Sequence, residues 1–594
     1  MPIPSYPEFF NDVFGPIMQP GSSSHTAGPC RIGYLARSLL GEKLRSIHVL
    51  LDANGSFAGT FGIMAEDRGM IAGALGLLPD DERLFDAFAL ADQAGIIYRF
   101  EFGVLTESRH PNAIKFTLTG ASGRIVTLVA DSTGGGIIET HVVDGYPLRT
   151  KGDAYVLLVF DLESGLPVSA FEAAVNGLPG SVGLGCSTVP RSRTTERSIL
   201  SGAGEGIPAQ SKGAERTSPQ AASFDSTPLS LRSVQDARAT ESRGTLHWAR
   251  FCQPPNLAVI REALPGFRVA LLDPILPVLD TPARKPQLFD TMTRWREIAA
   301  ERGLSLAETA IQYEMDASGW TREQVVAYMR MIERVMYRQT HAVYEEQAVI
   351  PTTPFRPNTT ADWVQHMASP RRRTDGVTAQ TLKWVHGAGA GIPGVPTVAW
   401  PMGSGGGYIH AALWAVKEVH GFTDDDLLRG LFVAAGIGAI AYTRTEPTGE
   451  VTGCTGETGI CGAMAAAAIA EMAGGTPQQV ENAASLLLQA VIGMPCDPIA
   501  GGAGQPCRSR VLTTTCMAHV FADLALAGRD AILPLHEVID VADQVGRSLP
   551  PGLLCTGRAG ASVTPTAQRK AIAFREWFDM TVREGIRRPP GNLI

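Results

Sequence analysis

The chain has 594 residues, which is too long for one hydrophobic core, so its length predicts two or three domains. Its composition, 44% hydrophobic and 19% charged, is typical of a soluble globular protein, and a net charge of −8 argues against nucleic acid as a partner. The N-terminus shows no basic segment followed by an apolar one, so we expect no secretory signal and a cytoplasmic protein. The longest apolar run, GLFVAAGIGAIAY, is too short to span a bilayer, so we expect a buried helix and no membrane partner.

Residues 1–186 are predicted to form an α+β domain. The segment GSSSHTAGPCRIGYLARSLLG indicates a turn followed by a helix. Six later runs are rich in β-branched and aromatic residues, which predicts strands, and the Gly, Asn and Asp between them are typical of turns. The six runs are SIHVLLDA, IIYRFEFGV, AIKFTLTG, GRIVTLVA, IIETHVVDGY and AYVLLVFDL.

Residues 187–245 differ from both flanks in composition. They are rich in Ser, Thr, Arg, Gly and Ala and contain few aromatic residues, so they cannot bury much apolar surface. We therefore predict a mostly disordered linker between two domains. The alternative is a long surface insertion inside a single domain.

Residues 246–594 are predicted to form a mainly α-helical domain. Apolar residues at i, i+3 and i+4 in LFDTMTRWREIAAERG and REQVVAYMRMIERVMYRQTHAVYEEQ indicate amphipathic helices. Ala-rich segments such as AMAAAAIAEMAGG indicate helices that pack closely. The predicted fold class is therefore α+β followed by a helical bundle, whose loops can present side chains to a cofactor.

Three cysteines of the helical domain, Cys454, Cys496 and Cys507, lie in the Gly- or Pro-flanked turns GCTGETG, MPCDPIAGG and GQPCRSR. Three thiolates can hold three irons of a [4Fe–4S] cluster and leave the fourth iron open as a Lewis acid, which indicates a dehydratase. Two alternatives stay open on spacing alone. One is a zinc site, although the C-x2-C pair of structural zinc sites is missing, and the other is buried cysteines that pack as small apolar side chains.

The sequence around these cysteines resembles the α-domain of the iron–sulfur-dependent L-serine dehydratases. That family has a Gly-Cys-x-Gly-Glu-x-Gly loop before a Met-Ala-Ala run, then a Cys-Asp-Pro turn and a Pro-Cys-x-x-Arg-type turn, with the same steps of 42 and 11 residues as here. GSSSHTAGP at 21–29 and STGGGIIE at 132–139 resemble two motifs of the family's β-domain. The resemblance covers roughly residues 9–150 and 280–570 and implies both domains fused in one chain.

The resemblance implies a reaction and a ligand set. Cys454, Cys496 and Cys507 would each bind one iron of a [4Fe–4S] cluster, in place of the pyridoxal phosphate that other dehydratases use. L-Serine would lose its α-proton and its hydroxyl group, and hydrolysis of the resulting imine would give pyruvate and ammonia. Since family members are often dimers, a homodimer is also expected.

The motif at 21–29 supplies the candidate catalytic residues, His25, Ser24 and Thr26, and the candidate substrate-binding residues Ser22 and Ser23. Imidazole titrates near neutral pH, which suits an acid or base. The alternative is that these hydroxyl side chains only cap the helix that follows.

Other polar residues near the motifs have two interpretations each. Arg508 is predicted to bind the substrate carboxylate or to form a surface salt bridge. Ser404 belongs to the Gly-rich loop at 402–410, whose amides can bind a carboxylate at a helix N-terminus. Glu457 is predicted to cap the next helix rather than to act as a base, and Asp497 to support the ligand loop or start a turn.

A fourth cysteine ligand is also considered, because some family members hold the open iron with a C-terminal cysteine. This chain ends RRPPGNLI and has no cysteine there. Cys461, Cys516 or Cys555 could substitute, but a buried structural role is predicted for each.

The substrate is less well defined than the chemistry. Threonine, 3-hydroxyaspartate or cysteine, from which sulfide would leave, suit the same β-elimination. The alternatives outside catalysis are a non-catalytic iron–sulfur sensor and a zinc-stabilised structural protein.

Overall fold

The computed structural model describes residues 6–162, 165–190, 243–350, 360–499 and 505–583. Its first unit is a six-stranded sheet in the order β3-β2-β4-β5-β6-β7, in which only β2 and β3 are parallel. Alternate residues of β2 (Ile47, Val49 and Leu51) are buried against helices α1 and α3, as the period of a half-buried strand requires. The elements are β1 (Ile17–Met18), α1 (Gly28–Leu40), β2 (Leu44–Asp52), α2 (Phe57–Thr60), α3 (Glu66–Ala74), α4 (Ala87–Gln93), β3 (Ile97–Gly103), β4 (Ala113–Gly120), β5 (Ile125–Gly134), β6 (Ile137–Val143) and β7 (Tyr146–Pro147).

The second unit has the βαββαβ order and the antiparallel strand order β11-β8-β10-β9 of a ferredoxin-like fold. β8 is buried on both faces, with Val156, Leu158 and Phe160 on the core of the first unit and Leu157 and Val159 on the core of its own unit. The sheet therefore lies between its own helices and the first unit. Its elements are β8 (Tyr155–Asp161), α5 (Val168–Val175), β9 (Ser181–Pro190), β10 (Arg243–Phe251), α6 (Leu257–Ala263) and β11 (Arg268–Leu272).

The segment 187–245 starts and ends inside this second unit. Residues 187–190 and 243–245 lie in β9 and β10, which pair with each other over their length. The predicted boundaries at 186 and 246 thus fall within one sheet, which is the arrangement of an insertion between paired strands. The predicted disorder concerns 191–242, which lie outside the described residues. β9 was missed because its sequence, SVGLGCSTVP, is rich in Gly and Ser and gives a weak strand signal.

The C-terminal unit is mainly helical, as predicted. α15 is buried over its whole length, since its small side chains let neighbouring helices approach on all sides. α13 is long and apolar enough to cross a membrane by length and composition, but 72% of its apolar window is buried inside the protein, which is the pattern of a core helix. The elements are α7 (Met292–Arg302), α8 (Leu306–Ser318), α9 (Arg322–Glu345), α10 (Thr360–Met367), α11 (Gly376–Ala388), β12 (Thr397–Val398), α12 (Gly405–His420), α13 (Asp424–Arg444), α14 (Gly449–Cys454), α15 (Ile460–Met472), α16 (Pro477–Ala490), α17 (Cys507–Leu526), α18 (Leu535–Ser548) and α19 (Pro565–Arg583).

The N-terminal segment of the chain packs into the helical unit. Phe9 stacks on Tyr313 with ring centroids 5.1 Å apart, and Phe10 contacts Trp320. The short strand β1 then pairs with β12 of the helical unit. The turn at 21–29 follows directly, so this packing delivers it to the loops that carry the cysteines.

Candidate functional site

The structure brings Cys454, Cys496 and Cys507 together. All three are buried, and their sulfur atoms lie within 4.8 Å of one another. Cys454 is the last residue of α14, Cys507 is the first residue of α17, and Cys496 lies in the loop between α16 and α17. Three soft donors at one buried point are suited to an iron–sulfur cluster or another thiophilic metal centre.

The loop of Cys454 meets the loop of Cys496 by close backbone packing. Gly453 has φ 66°, and a Cβ at this position would lie 2.4 Å from the carbonyl oxygen of Met494. Beside it, the Thr455 hydroxyl accepts from the amides of Gly493 (3.0 Å) and Met494 (2.9 Å) and donates to the carbonyl of Val491 (3.1 Å). The glycine and threonine of the GCTGETG turn thus hold two ligand loops in contact.

A fourth cysteine, Cys555, lies beside these three. Its amide donates to the Cys496 carbonyl at 2.7 Å, and its own carbonyl accepts from the Ser56 hydroxyl at 3.0 Å. Its sulfur lies within 4.8 Å of ligand atoms of His25 and Glu450. Cys555 is buried, as predicted, but in the site.

The turn at 21–29 both caps a helix and faces the cysteines. The Ser22 hydroxyl accepts from the His25 amide, which closes one helical turn (Ser23–Ala27) ahead of α1. From the first sheet, Ser132 donates its hydroxyl to the Ser24 carbonyl at 2.7 Å. The predicted cap and the predicted site are therefore features of the same turn.

His25 is held by three polar partners. Its Nδ1 lies 2.9 Å from the Ser24 hydroxyl and 3.3 Å from the Glu450 carboxylate, and its Nε2 lies 3.0 Å from the Ser56 hydroxyl. Ser24 also donates to Glu450 at 2.9 Å, and Thr448 donates to the other carboxylate oxygen. A carboxylate facing Nδ1 favours the tautomer with its proton there. The Ser56 hydroxyl, which donates to the Cys555 carbonyl, must turn before it can donate to the Nε2 lone pair of that tautomer.

The protonation of this pair follows from its burial and its hydrogen bonds. Burial lowers the pKa of His25, so its imidazole is neutral near pH 7. Burial raises the pKa of the Glu450 carboxyl, but the facing imidazole and two hydroxyl donors outweigh it, and the pKa lies below its ordinary value. A neutral imidazole beside an ionised carboxylate is suited to general-base chemistry.

Glu450 is not marked by the sequence. TGEV reads as an ordinary helix start, and Ser24 and His25, the partners that place its carboxylate in the site, lie more than four hundred residues away in the chain. No local signal marks it.

A small enclosed cavity of about 30 Å³ joins the two sets of residues. Ser22, Ser23, Ser24 and His25 line it from one unit, and from the helical unit it is lined by Met402, Gly403, Glu450, Glu457, Cys496, Cys507 and Cys555. Burial raises the pKa of Glu457, which lies in the cavity wall, well above its ordinary value. The site thus lies between units, where small-molecule pockets commonly form.

Three predicted site residues are not among the residues that line this cavity. Thr26 donates its hydroxyl to the Met64 carbonyl at 2.5 Å. Arg508 donates to the Gly389 carbonyl at 2.5 Å. The Ser404 hydroxyl is buried next to Gly403 and has no hydrogen-bond partner among the described residues.

The arginine that reaches the cysteines is Arg510. Its Nη1 lies 3.6 Å from the Cys454 sulfur. Contacts with the thiols of Cys496 and Cys507, and then this guanidinium, lower the pKa of Cys454 well below its ordinary value. The arginine of the Pro-Cys-x-x-Arg pattern is Arg510, so this pattern could have identified the residue from the sequence.

Known proteins resemble this chain in both halves. The family described as "Serine dehydratase alpha chain" matches residues 301–562. A probable L-serine dehydratase alpha chain of Latilactobacillus sakei is 34% identical over 168 residues, which are 28% of this chain and 80% of that protein. The chain belongs to the L-serine dehydratase family.

Two further family members show how much of each chain is covered by the similarity. The probable alpha chain of Bacillus subtilis is 38% identical over 170 residues, 29% of this chain and 57% of the relative. The L-serine dehydratase beta chain of Peptoniphilus asaccharolyticus is 36% identical over 148 residues, 25% of this chain and 66% of the relative. Counterparts of alpha and beta chains are thus fused in this family member, which spans somewhat over half the length of the Bacillus alpha chain.

Proposed function

We propose that this protein converts L-serine to pyruvate and ammonia, with a [4Fe–4S] cluster held by Cys454, Cys496 and Cys507. The observation that carries the proposal is that Cys496, Cys507 and the His25–Glu450 pair line one cavity, with the Cys454 sulfur within 4.8 Å of the other two sulfurs. The names of the relatives support serine as the substrate. When bound, the cluster supplies a Lewis acid for the departing hydroxyl group.

His25 is the proposed base. Its Nε2 takes the α-proton of serine after the Ser56 hydroxyl, now 3.0 Å away, gives up this position. Glu450 fixes the tautomer and stabilises the imidazolium that forms, because its carboxylate faces Nδ1. Both functions follow from a buried imidazole whose Nδ1 faces Ser24 and Glu450 and whose Nε2 faces Ser56.

The serine hydroxyls around His25 are proposed to bind the substrate. Ser22 and Ser23 line the cavity, and Ser24 holds Glu450 in place. The Ser22 hydroxyl can donate to a carboxylate, whereas the Ser23 hydroxyl must first leave the Pro401 carbonyl to which it donates. Ser404 adds an unpartnered hydroxyl close behind the cavity wall. Thr26, which donates to the Met64 carbonyl, is proposed to position the turn instead, and Arg508 donates to the Gly389 carbonyl and does not line the cavity.

The test is pyruvate formation from L-serine by protein reconstituted anaerobically with iron and sulfide, beside an air-exposed sample. We expect pyruvate only in the anaerobic sample, and loss of the cluster spectrum and of pyruvate in Cys454→Ser. Cys461→Ser is the matched control, because Cys461 is equally buried but donates to the Gly405 carbonyl, away from the cavity. Loss of activity in both variants to the same degree would contradict the assignment.

The same assay decides the alternatives. Turnover of threonine, 3-hydroxyaspartate or cysteine without turnover of serine would keep the elimination chemistry and replace the substrate. A bound cluster with no turnover of any of them would favour a sensor. We further propose that the protein is cytoplasmic and forms a homodimer. Sedimentation of the native protein tests the dimer.

A further inference from the structure

Arg510 contacts all three segments that carry the cysteines. It lies in the first turn of α17, three residues after Cys507. Its Nη1 donates to the Pro495 carbonyl at 2.5 Å, one residue before Cys496, and to the Cys454 sulfur at 3.6 Å. The Arg510 side chain therefore joins the segments that carry Cys454, Cys496 and Cys507.

A carboxylate holds this guanidinium in place. Asp497 lies 2.8 Å from Nη1 as a charge partner, and its other oxygen accepts from the Ala561 amide at 2.7 Å. The Arg510 side chain is 19% exposed and that of Asp497 is 7% exposed, so both are shielded from solvent. A planar donor fork that is already oriented loses little freedom when it binds a thiolate.

Arg508 provides the natural comparison. It lies two residues earlier in the same turn and is also buried, but it donates to the Gly389 carbonyl of another helix. Its guanidinium makes no hydrogen bond to a cysteine within the part of the chain that the structure describes. Arg510 thus contacts segments that carry cysteines, whereas Arg508 contacts the residue that follows α11.

We propose that Arg510 is a positioning residue for the metal centre. It holds the three cysteine loops in register and keeps the Cys454 sulfur on its iron through an N–H···S contact. The identity of the centre as a [4Fe–4S] cluster rests on the proposed function. The positioning role itself, called the Arg510 clamp below, rests on the contacts of Arg510.

The first test measures cluster retention under anaerobic conditions. Residues behind metal ligands typically change metal affinity by about 10–100-fold, so Arg510→Met is expected to lose iron to a chelator at least about tenfold faster than the parent. Arg510→Lys, which keeps the charge but not the fork, should lie between them. Arg508→Met should match the parent, and equal rates for Arg510→Met and the parent would overturn the proposal.

The second readout separates this role from general loss of stability. Removing a cation and a sulfur hydrogen bond disfavours the reduced cluster, so the midpoint potential of Arg510→Met should fall, whereas Arg508→Met should not shift it. A variant that is only less stable would keep the potential of whatever cluster it retains. An unchanged potential in Arg510→Met would therefore overturn the N–H···S contact.

A third measurement needs no cluster. In the cluster-free protein, diamide oxidises two neighbouring thiols to a disulfide and is itself reduced to the hydrazine. Cys454 and Cys507, whose sulfurs are 3.8 Å apart, should join more slowly in Arg510→Met than in Arg508→Met. A parent protein that binds no cluster would refute the proposed function, and this rate would still support or refute the clamp.

Discussion

At the scale of single residues, the chemistry of the site depends on burial. His25 and Glu450 have 1% exposed side chains, so each depends on the other and on neighbouring hydroxyls for polar contact. The sequence motif names His25, but it contains no hint of the carboxylate that faces it. Burial lowers the pKa of His25 and the facing Glu450 carboxylate raises it, so both residues together set the pH at which this imidazole gains a proton.

Two substitutions test this pair. His25→Ala removes the base and should lower kcat by about 10²–10⁴-fold with the cluster spectrum retained. Glu450→Gln should lower kcat and move the acid limb of kcat/KM to lower pH. The sign follows because the Glu450 carboxylate raises the pKa of His25, and activity is lost as the pH falls through that pKa.

The control for this experiment is Glu346→Gln, an exposed carboxylate paired with Arg338 on α9. It should leave the pH profile unchanged. An acid limb that stays in place in Glu450→Gln would show that the carboxylate does not act on His25.

At the scale of elements, the ligand loops are held by close backbone approaches. Gly453 lets α14 end on the loop of Cys496, and Thr455 bonds three backbone groups of that loop. The Gly-rich character of GCTGETG was visible in the sequence. Which loop it would meet was not, because a glycine signals a close approach without naming the partner.

Gly453→Ala and Gly474→Ala form a matched pair at this scale. Both glycines have positive φ (66° and 77°), so an alanine strains the backbone at either. Only at Gly453 would the new Cβ meet a backbone atom, whereas Gly474 has open space. Iron content after reconstitution should fall in Gly453→Ala and stay at the parent level in Gly474→Ala, and equal content in both would refute the role of this approach.

At the scale of the whole molecule, the site forms because the N-terminal segment packs against the helical unit before the chain enters the first sheet. Tyr6, Phe9 and Phe10 pack into the helical core before the chain enters the first sheet. Pairing of β1 with β12 then fixes the turn at 21–29 against the cysteine loops. The N-terminal segment is therefore a structural part of the helical unit.

Removing one of these aromatic side chains should loosen the whole assembly. Phe9 is 0% exposed and stacks on Tyr313, so Phe9→Ala should lower the free energy of unfolding by about 3–5 kcal/mol. Phe102→Ala, at a side chain that is 41% exposed on β3, should change it by roughly 0.5 kcal/mol or less. Denaturant unfolding measures both, and similar values would show that Phe9 does not anchor the segment.

The sequence by itself determined the α+β and helical halves, the six strands with strong β-branched patterns and the three cysteines, because these features depend on local periodicity and turn chemistry. The tertiary structure alone decided that β9 and β10 contain the two ends of the segment 187–245 and pair with each other, that Glu450 faces His25 and that Arg510 rather than Arg508 reaches Cys454. Each of these depends on contacts between residues distant in sequence. Such contacts follow from the packing of whole units, for which a single sequence carries no local signal.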